Sequence, residues 1–323
     1  MKRWISSDIL GMNGLSYVDE SWDAKDSDNL VVRVHAAALN FSDLLMIEDK
    51  YQVRPPRPFT PGQEIAGVVV SVPEGSDCKV GDRVASKVGW GGFAEMVEVR
   101  PDMAFRIPDN ISFGKAAALP VAYITSMVAF FDSTEVRPED TVLVHAAAGG
   151  VGLAAVEIAK AIGARVIATA GSEDKLDLAR EHGADIGINY RNENWFQTVK
   201  EMTDGKGANV IYDPVGGDIG INSLRCIARD GVLLIVGFAS GTITELPANR
   251  LMLKRASAKG VYWSHDHDGE MLGEITDKLF VMVEKGQINP VVHEEHSLED
   301  LPFAMELLQS RKTTGKMILN IPD

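Results

Sequence analysis

The chain has 323 residues, 45% of them hydrophobic and 24% charged, which suits two domains with sizeable cores and excludes a disordered polymer. Its net charge of −14 argues against a nucleic acid or an anionic membrane as partner, since phosphate binding needs an excess of lysine and arginine. Cys78 and Cys226 are the two cysteines, too few for a disulfide framework or a multi-cysteine metal site, and ISSDILGMNG after Lys2 and Arg3 lacks a signal peptide's apolar core, so a cytoplasmic protein is expected.

Up to about Val99 the pattern is one of short strands, among them NLVVRVHAAAL, EIAGVVVSV, DRVASKV and FAEMVEV, broken by the turn sequences EGSD, KVGD and GWGG. A small, mostly antiparallel β domain is predicted. The apolar run 116–131 contains Pro120 and falls short of the roughly 20 residues of a bilayer span, so a buried helix is expected there.

From Thr141 the organisation changes. Residues 141–145, TVLVH, read as a buried strand, Gly149, Gly150 and Gly152 as a glycine turn, and LAAVEIAKAIG as a helix closed by Gly163. Strand, glycine turn and helix form the setting of a dinucleotide fingerprint, in which backbone amides at the helix start face a pyrophosphate. Ala147 stands at the first glycine's place. A second strand over 165–170 completes a βαβ unit of about thirty residues.

The end of that second strand selects the cofactor, because a carboxylate there accepts the ribose 2′-hydroxyl and repels a 2′-phosphate. Ala170, Gly171 and Ser172 occupy the place, so Ser172 can donate a hydrogen bond and Lys175 a charge, and NADPH is expected over NADH. Ser172 before Glu173 and Asp174 is equally a good helix N-cap, and a slip of one position would put Glu173 on the ribose.

Further strands are predicted over 186–189, 208–213, 231–236 and 257–262, giving a doubly wound parallel sheet. The turns DPVGG (213–217) and VGFASG (236–241) suit a cleft at the carboxyl ends of its strands. After Trp263, HDHDGE reads as a solvated loop rather than a metal site at His265, Asp266, His267 and Asp268. A helix over 270–285, a strand near Val291, a helix over 298–309 and a strand over 317–321 follow, and these are expected to rejoin the first domain. The expected division is 1–120, 121–263 and 264–323.

The chain resembles the zinc-independent medium-chain dehydrogenase/reductases, in the quinone oxidoreductase and zeta-crystallin branch. The matching segments are AAALNFSDLL (36–45), PGQEIAGVV (61–69), VGDRV (80–84), GGFAEMVEV (91–99), AAALPVAYITS (116–126), HAAAGGVGLAAVEIAKAIGA (145–164), YDPVGG (212–217) and TTGKMIL (313–319). The resemblance implies a GroES-like, mostly antiparallel β-barrel domain and a Rossmann domain with NADPH held between them. It also implies a homodimer through strand 257–263, otherwise an exposed edge. Where zinc-dependent members carry a cysteine and a histidine ligand, this chain has Asn40 and Gln63, and amide oxygens are poor zinc ligands, so no metal is expected.

Residue by residue, the resemblance puts Asn40 and Thr125 at the nicotinamide end. It puts Ala148, Gly149, Gly150, Val151 and Gly152 at the pyrophosphate, Ser172, Lys175 and Tyr190 at the 2′-phosphate, and Phe238 and Ser240 by the carboxamide, with Arg311 also approaching the phosphates. Without a Lewis acid, alcohol oxidation is disfavoured, and hydride transfer to a quinone or an α,β-unsaturated carbonyl is left. Negative charge then develops on oxygen, and the resemblance makes Tyr51 and Asn40 the candidate catalytic residues: Tyr51 matches a tyrosine that lies by the nicotinamide in this branch and serves related enoyl-thioester reductases as a proton donor. Two other readings stay open: an enoyl-thioester reductase with Lys50, Arg54 and Arg57 as a basic path, and an NADPH-binding crystallin-like or sensor protein without turnover.

Overall fold

A computed structural model describes residues 1–24 and 28–322. The chain divides into two compact units, Met1–Val121 with Pro290–Asp323, and Ala122–Asn289.

In the first unit a seven-stranded sheet runs in the order Val292–Ser297, Lys316–Asn320, Leu30–Ala38, Glu64–Ser71, Arg83–Lys87 and Ala104–Arg106, with Met96–Val99 also paired to Leu30–Ala38. Its pairings are antiparallel apart from Val292–Ser297 with Lys316–Asn320. Lys2–Ser6 and Leu15–Asp19 form a separate antiparallel pair. Leu30–Ala38 is the centre because its apolar residues are buried on both sides, and three strands pair with it. The register sets up the chemistry: Ile318 lies opposite Ala38, and Ala38 opposite Glu64. Two residues further along these antiparallel directions Lys316 and Asn40 come level with each other, next to the Glu64 that faces Ala38.

The second unit is a six-stranded, wholly parallel sheet in the order Ile186–Asn189, Arg165–Ala170, Thr141–Val144, Ala208–Asp213, Ile227–Ile235 and Ser257–Gly260. Thr141–Val144 is first in sequence and central in space, so the strand order reverses beside it, where open α/β sheets bind ligands. Helices Gly150–Ile162, Glu173–Glu181, Trp195–Met202 and Gly217–Ser223 connect successive strands.

Three expectations need correction. The apolar run 116–131 is not one helix: Phe113–Ala117 and Ala122–Val128 are separate, the latter passing into a π-helical turn at Ala129–Ser133. Pro120 lies in the break, where it lacks an amide and disfavours helix in the residue before it. HDHDGE is not a loop, because Ser264 caps a helix His265–Glu284 with a kink at Asp268, whose Oδ2 accepts the Ser264 amide at 2.8 Å. That helix buries Leu272, Ile275 and Leu279 at helical spacing and packs on Ala122–Val128, so the return to the first unit starts at Pro290 rather than 264. Among the described residues no helix is long and apolar enough to cross a membrane.

Candidate active site

In the second unit the turn after Thr141–Val144 leads into the helix Gly150–Ile162, capped by Gly149. Its first i to i−4 bond is Leu153 N–H to Gly149 O at 2.8 Å, so the amides of Gly150, Val151 and Gly152 precede any intrahelical acceptor. With the positive end of the helix dipole behind them, they form an anion cradle. Ala146 takes the left-handed conformation, φ 48°, and so performs the tight turn that the sequence pattern assigned to Ala147. Gly152 is required by packing, since a Cβ built on it would lie 2.2 Å from the Ala146 carbonyl oxygen.

Polar groups beneath the cradle hold it in place. Ser126 Oγ lies 3.0 Å from Ala122 O, 3.2 Å from Val151 O and 2.9 Å from the Tyr212 hydroxyl. His145 is wholly buried between Thr169 Oγ1 and Ser223 Oγ, each 2.8 Å away, and stands edge-on to Trp195. Burial lowers its pKa to about 4, so the imidazole is neutral at ordinary pH. It is a core histidine.

The end of Arg165–Ala170 forms a second, cationic corner. The Tyr190 amide donates to Ala170 O at 3.2 Å, and a Cβ built on Gly171 would lie 3.2 Å from the Tyr190 hydroxyl and 3.4 Å from Arg191 Nε. Lys175 belongs to the same corner: burial lowers its pKa, and the Arg191 charge lowers it further against the pull of Asp174. Arg191 escaped the sequence reading. Its signal was a cation directly after Tyr190 at the end of the adjacent strand, legible only once Ile186–Asn189 is known to lie beside Arg165–Ala170. Ser172 is the N-cap of Glu173–Glu181 and hydrogen-bonds Asp174, lowering that carboxyl's pKa. Glu173 pairs with Arg180 Nη1 at 2.7 Å along its own helix.

At the end of Ala208–Asp213, Asp213 Oδ1 accepts the amides of Val215 and Gly216 at 2.9 and 3.0 Å and fixes the DPVGG turn. Phe238 and Ser240 lie over that turn, for Cβ atoms on Gly216 and Gly217 would approach Phe238 Cδ1 to 2.7 Å and Ser240 Oγ to 3.2 Å. Thr125 Oγ1 accepts the Trp263 indole N–H at 3.0 Å. The second unit therefore brings together its predicted residues in three places, the cradle, the cationic corner and the glycine turn, apart from Thr125, which is held by Trp263.

In the first unit Asn40 caps the helix Phe41–Ile47, its amide N–H donating to Asp43 Oδ2 at 2.8 Å. Its side-chain Nδ2 donates to Glu64 Oε1 at 2.9 Å, and its Oδ1 accepts from Lys316 Nζ at 2.7 Å. Glu64 and Lys316 are themselves paired, both buried, and Glu64 Oε2 accepts the Val121 amide at 2.8 Å. Burial pushes the Asp43 carboxyl up to about 7. Gln63 Oε1 is taken by the Ser42 hydroxyl. Tyr51 is half-buried against the core of this unit, and Arg311 sits in a left-handed turn after Leu301–Gln309. Among the described residues no group of three His, Cys, Asp or Glu could hold a metal ion.

A six-stranded doubly wound sheet with an anion cradle, and a separate β unit formed by both ends of the chain, define a two-domain dehydrogenase or reductase of the pyridine-nucleotide type. Residues 26–109 match the family described as "Alcohol dehydrogenase GroES-like domain", and residues 150–277 that described as "Zinc-binding dehydrogenase". The chain is 42% identical over 295 residues to "Quinone oxidoreductase-like protein 2 homolog" of Nematostella vectensis, covering 90% of this chain and 80% of that one. It is 37% identical to a "Quinone oxidoreductase" of Pseudomonas aeruginosa over 89% and 90% of the two chains. The structure of Escherichia coli quinone oxidoreductase complexed with NADPH superposes with a TM-score of 0.91 at 32% identity, over 99% of this chain and all of that one. The chain belongs to the medium-chain dehydrogenase/reductase superfamily, in its quinone oxidoreductase branch, a family of oxidoreductases.

Proposed function

We propose that the protein is an NADPH-dependent, zinc-free reductase that delivers hydride to a quinone or an α,β-unsaturated carbonyl. The observation that carries the cofactor choice is the convergence of the Tyr190 hydroxyl and the Arg191 guanidinium on Gly171, with Lys175 beside them. A 2′-phosphate dianion relieves the repulsion between the two cations, whereas a 2′-hydroxyl leaves it standing.

NADPH, when bound, supplies a hydride from its nicotinamide. The amides of Gly150, Val151 and Gly152, in the turn begun by Ala148 and Gly149, would hold the pyrophosphate, and Ser172, Lys175, Tyr190 and Arg191 the 2′-phosphate, with Arg311 a further cation for the phosphates. Phe238, Ser240, Thr125 and Asn40 would line the nicotinamide end. Tyr51 is the proton donor of this reading, protonating the oxygen on which charge develops.

The zinc-free part rests on the donor set. Asn40 and Gln63 are amides whose oxygens are already engaged by Lys316 and Ser42, and the Lys316 ammonium would repel a dication from Glu64. The enoyl-thioester alternative has less support, because Lys50 pairs with Glu48 at 2.8 Å and the buried Arg57 guanidinium is spent on Asp49 and Ile47 O. A homodimer is supported by the edge strand Ser257–Gly260, flanked by Tyr262 and Met252, each 71% exposed. Two free, buried cysteines suit the reducing cytoplasm.

The test is NADPH and NADH oxidation with 9,10-phenanthrenequinone, an alkyl enone and crotonyl-coenzyme A. Turnover of the first two with NADPH preferred is expected. Tight NADPH binding without oxidation by any acceptor would favour the sensor reading instead.

A further inference from the structure

We infer that Lys316 and Glu64 are positioning residues that fix the orientation of the Asn40 side-chain amide and so leave one Nδ2–H as a donor toward the nicotinamide end of the dinucleotide. The inference rests on the dinucleotide reading above. A carboxamide can rotate by half a turn and exchange its donor end for its acceptor end at almost no steric cost. Here the partners remove that freedom. An ammonium has donors only, so Lys316 Nζ at 2.7 Å must face Oδ1; a carboxylate has acceptors only, so Glu64 Oε1 at 2.9 Å must face Nδ2.

The rest of the cluster holds these partners still. Glu64 Oε2 is tied to the Val121 amide, Lys316 and Glu64 pair directly, and the Asn40 backbone N–H is held by Asp43. Burial of the pair leaves little water to compete for either charge. Of the two Nδ2 hydrogens, Glu64 takes one and the other remains a donor. Removing Lys316 takes away the donor to Oδ1 and leaves the amide held at Nδ2 alone, so its plane is less firmly set; removing both charges lets it rotate and present its oxygen, which repels the acceptor that the remaining N–H would have bound.

Lys316 lies 276 residues from Asn40 in sequence, on the strand formed after the chain returns to its first unit. The return segment therefore completes the site as well as the sheet.

A double-mutant cycle tests this, using the full chain, with the NADPH dissociation constant from fluorescence titration as the first readout and kcat with 9,10-phenanthrenequinone as the second. Asn40→Ser keeps a capping side chain but removes the amide, and Lys316→Met removes the ammonium at similar volume. Each alone is expected to weaken NADPH binding about 3- to 10-fold, the range of one hydrogen bond. Together they should cost no more than the larger of the two, because Lys316 acts only through Asn40. Lys316→Arg, which keeps a donor, should restore binding to within about 2-fold of wild type. Because Lys316→Met strands a buried carboxylate, Lys316→Met/Glu64→Gln removes both charges and serves where the single variant does not fold.

Fold losses that multiply in the double variant, or no rescue by arginine, would overturn the positioning role while leaving the NADPH reading intact. No NADPH binding by the wild-type protein would overturn both.

Discussion

The Tyr123 hydroxyl donates to Glu157 Oε2 at 2.7 Å, deep in the second unit, and the same oxygen accepts the Asn289 amide at 3.1 Å. Tyr123 and Asn289 lie at the two ends of that unit's chain, so one carboxylate on the cradle helix ties down both. Its other oxygen meets His182 Nδ1 at 2.6 Å.

Glu157→Gln puts an amide N–H against one of these donors and removes the charge that strengthens the bonds. A loss of about 2 kcal/mol is expected, the range for hydrogen bonds to a charged group, or a fall of about 4 to 8 °C in melting temperature for a unit of this size. Urea denaturation checks it, and an unchanged midpoint would deny the tie.

His145 makes the second unit acid-sensitive. Burial brings its pKa from the ordinary 6.5 down to about 4 in the folded protein, so it is neutral in both states above 6.5 and costs nothing there. As pH falls from 6.5 to 4 the unfolded chain takes up a proton that the folded one refuses, and stability falls by about 3 kcal/mol. Asp43, raised to about 7, works in the opposite sense: its contribution is full below 3.8 and is lost as pH rises toward 7. His145→Gln should remove the first of these slopes, measured as unfolding free energy across pH 4 to 7.

Arg191→Ala is expected to weaken NADPH binding about 10-fold or more while leaving NADH almost unaffected, since one charge-assisted contact to a phosphate is lost and a hydroxyl offers none. Lys175→Ala should behave alike. Isothermal titration with both nucleotides decides, and equal losses for the two would remove this corner as the 2′-phosphate site.

Gly152→Ala forces a Cβ to within 2.2 Å of the Ala146 oxygen. The cradle must open, so binding of both NADPH and NADH should fall by at least about 10-fold, with a loss of at least about 1 kcal/mol in stability. Normal binding by a well-folded Gly152→Ala protein would contradict the close helix-to-turn approach.

Tyr51→Phe removes a hydroxyl and keeps the ring that packs on the first unit's core. With the preferred acceptor kcat should drop by about 100-fold or more, the usual contribution of a positioned proton donor, with melting temperature nearly unchanged. An unaffected kcat would assign Tyr51 to packing alone.

The sequence by itself determined the parallel sheet and its cradle, because both are written in consecutive residues. A strand buried on two faces is a short apolar run, TVLV, and the turn that follows must accommodate Gly152 against Ala146, so local pattern and local sterics coincide. The same holds for 165–170 and 186–189, where strand period and flanking turns fixed the boundaries. Short-range pattern failed where apolar residues face another helix: HDHDGE looks solvated on its own, yet it opens a helix whose later residues bury against Ala122–Val128.

Only the tertiary structure decided the charged constellations. Arg191 joined Lys175 because two adjacent strands end side by side, and Lys316 joined Asn40 and Glu64 because an antiparallel register aligned residues 276 positions apart. Hydrogen bonds and charges act over a few ångströms of space and carry no period along the chain, so no spacing in the sequence announces them.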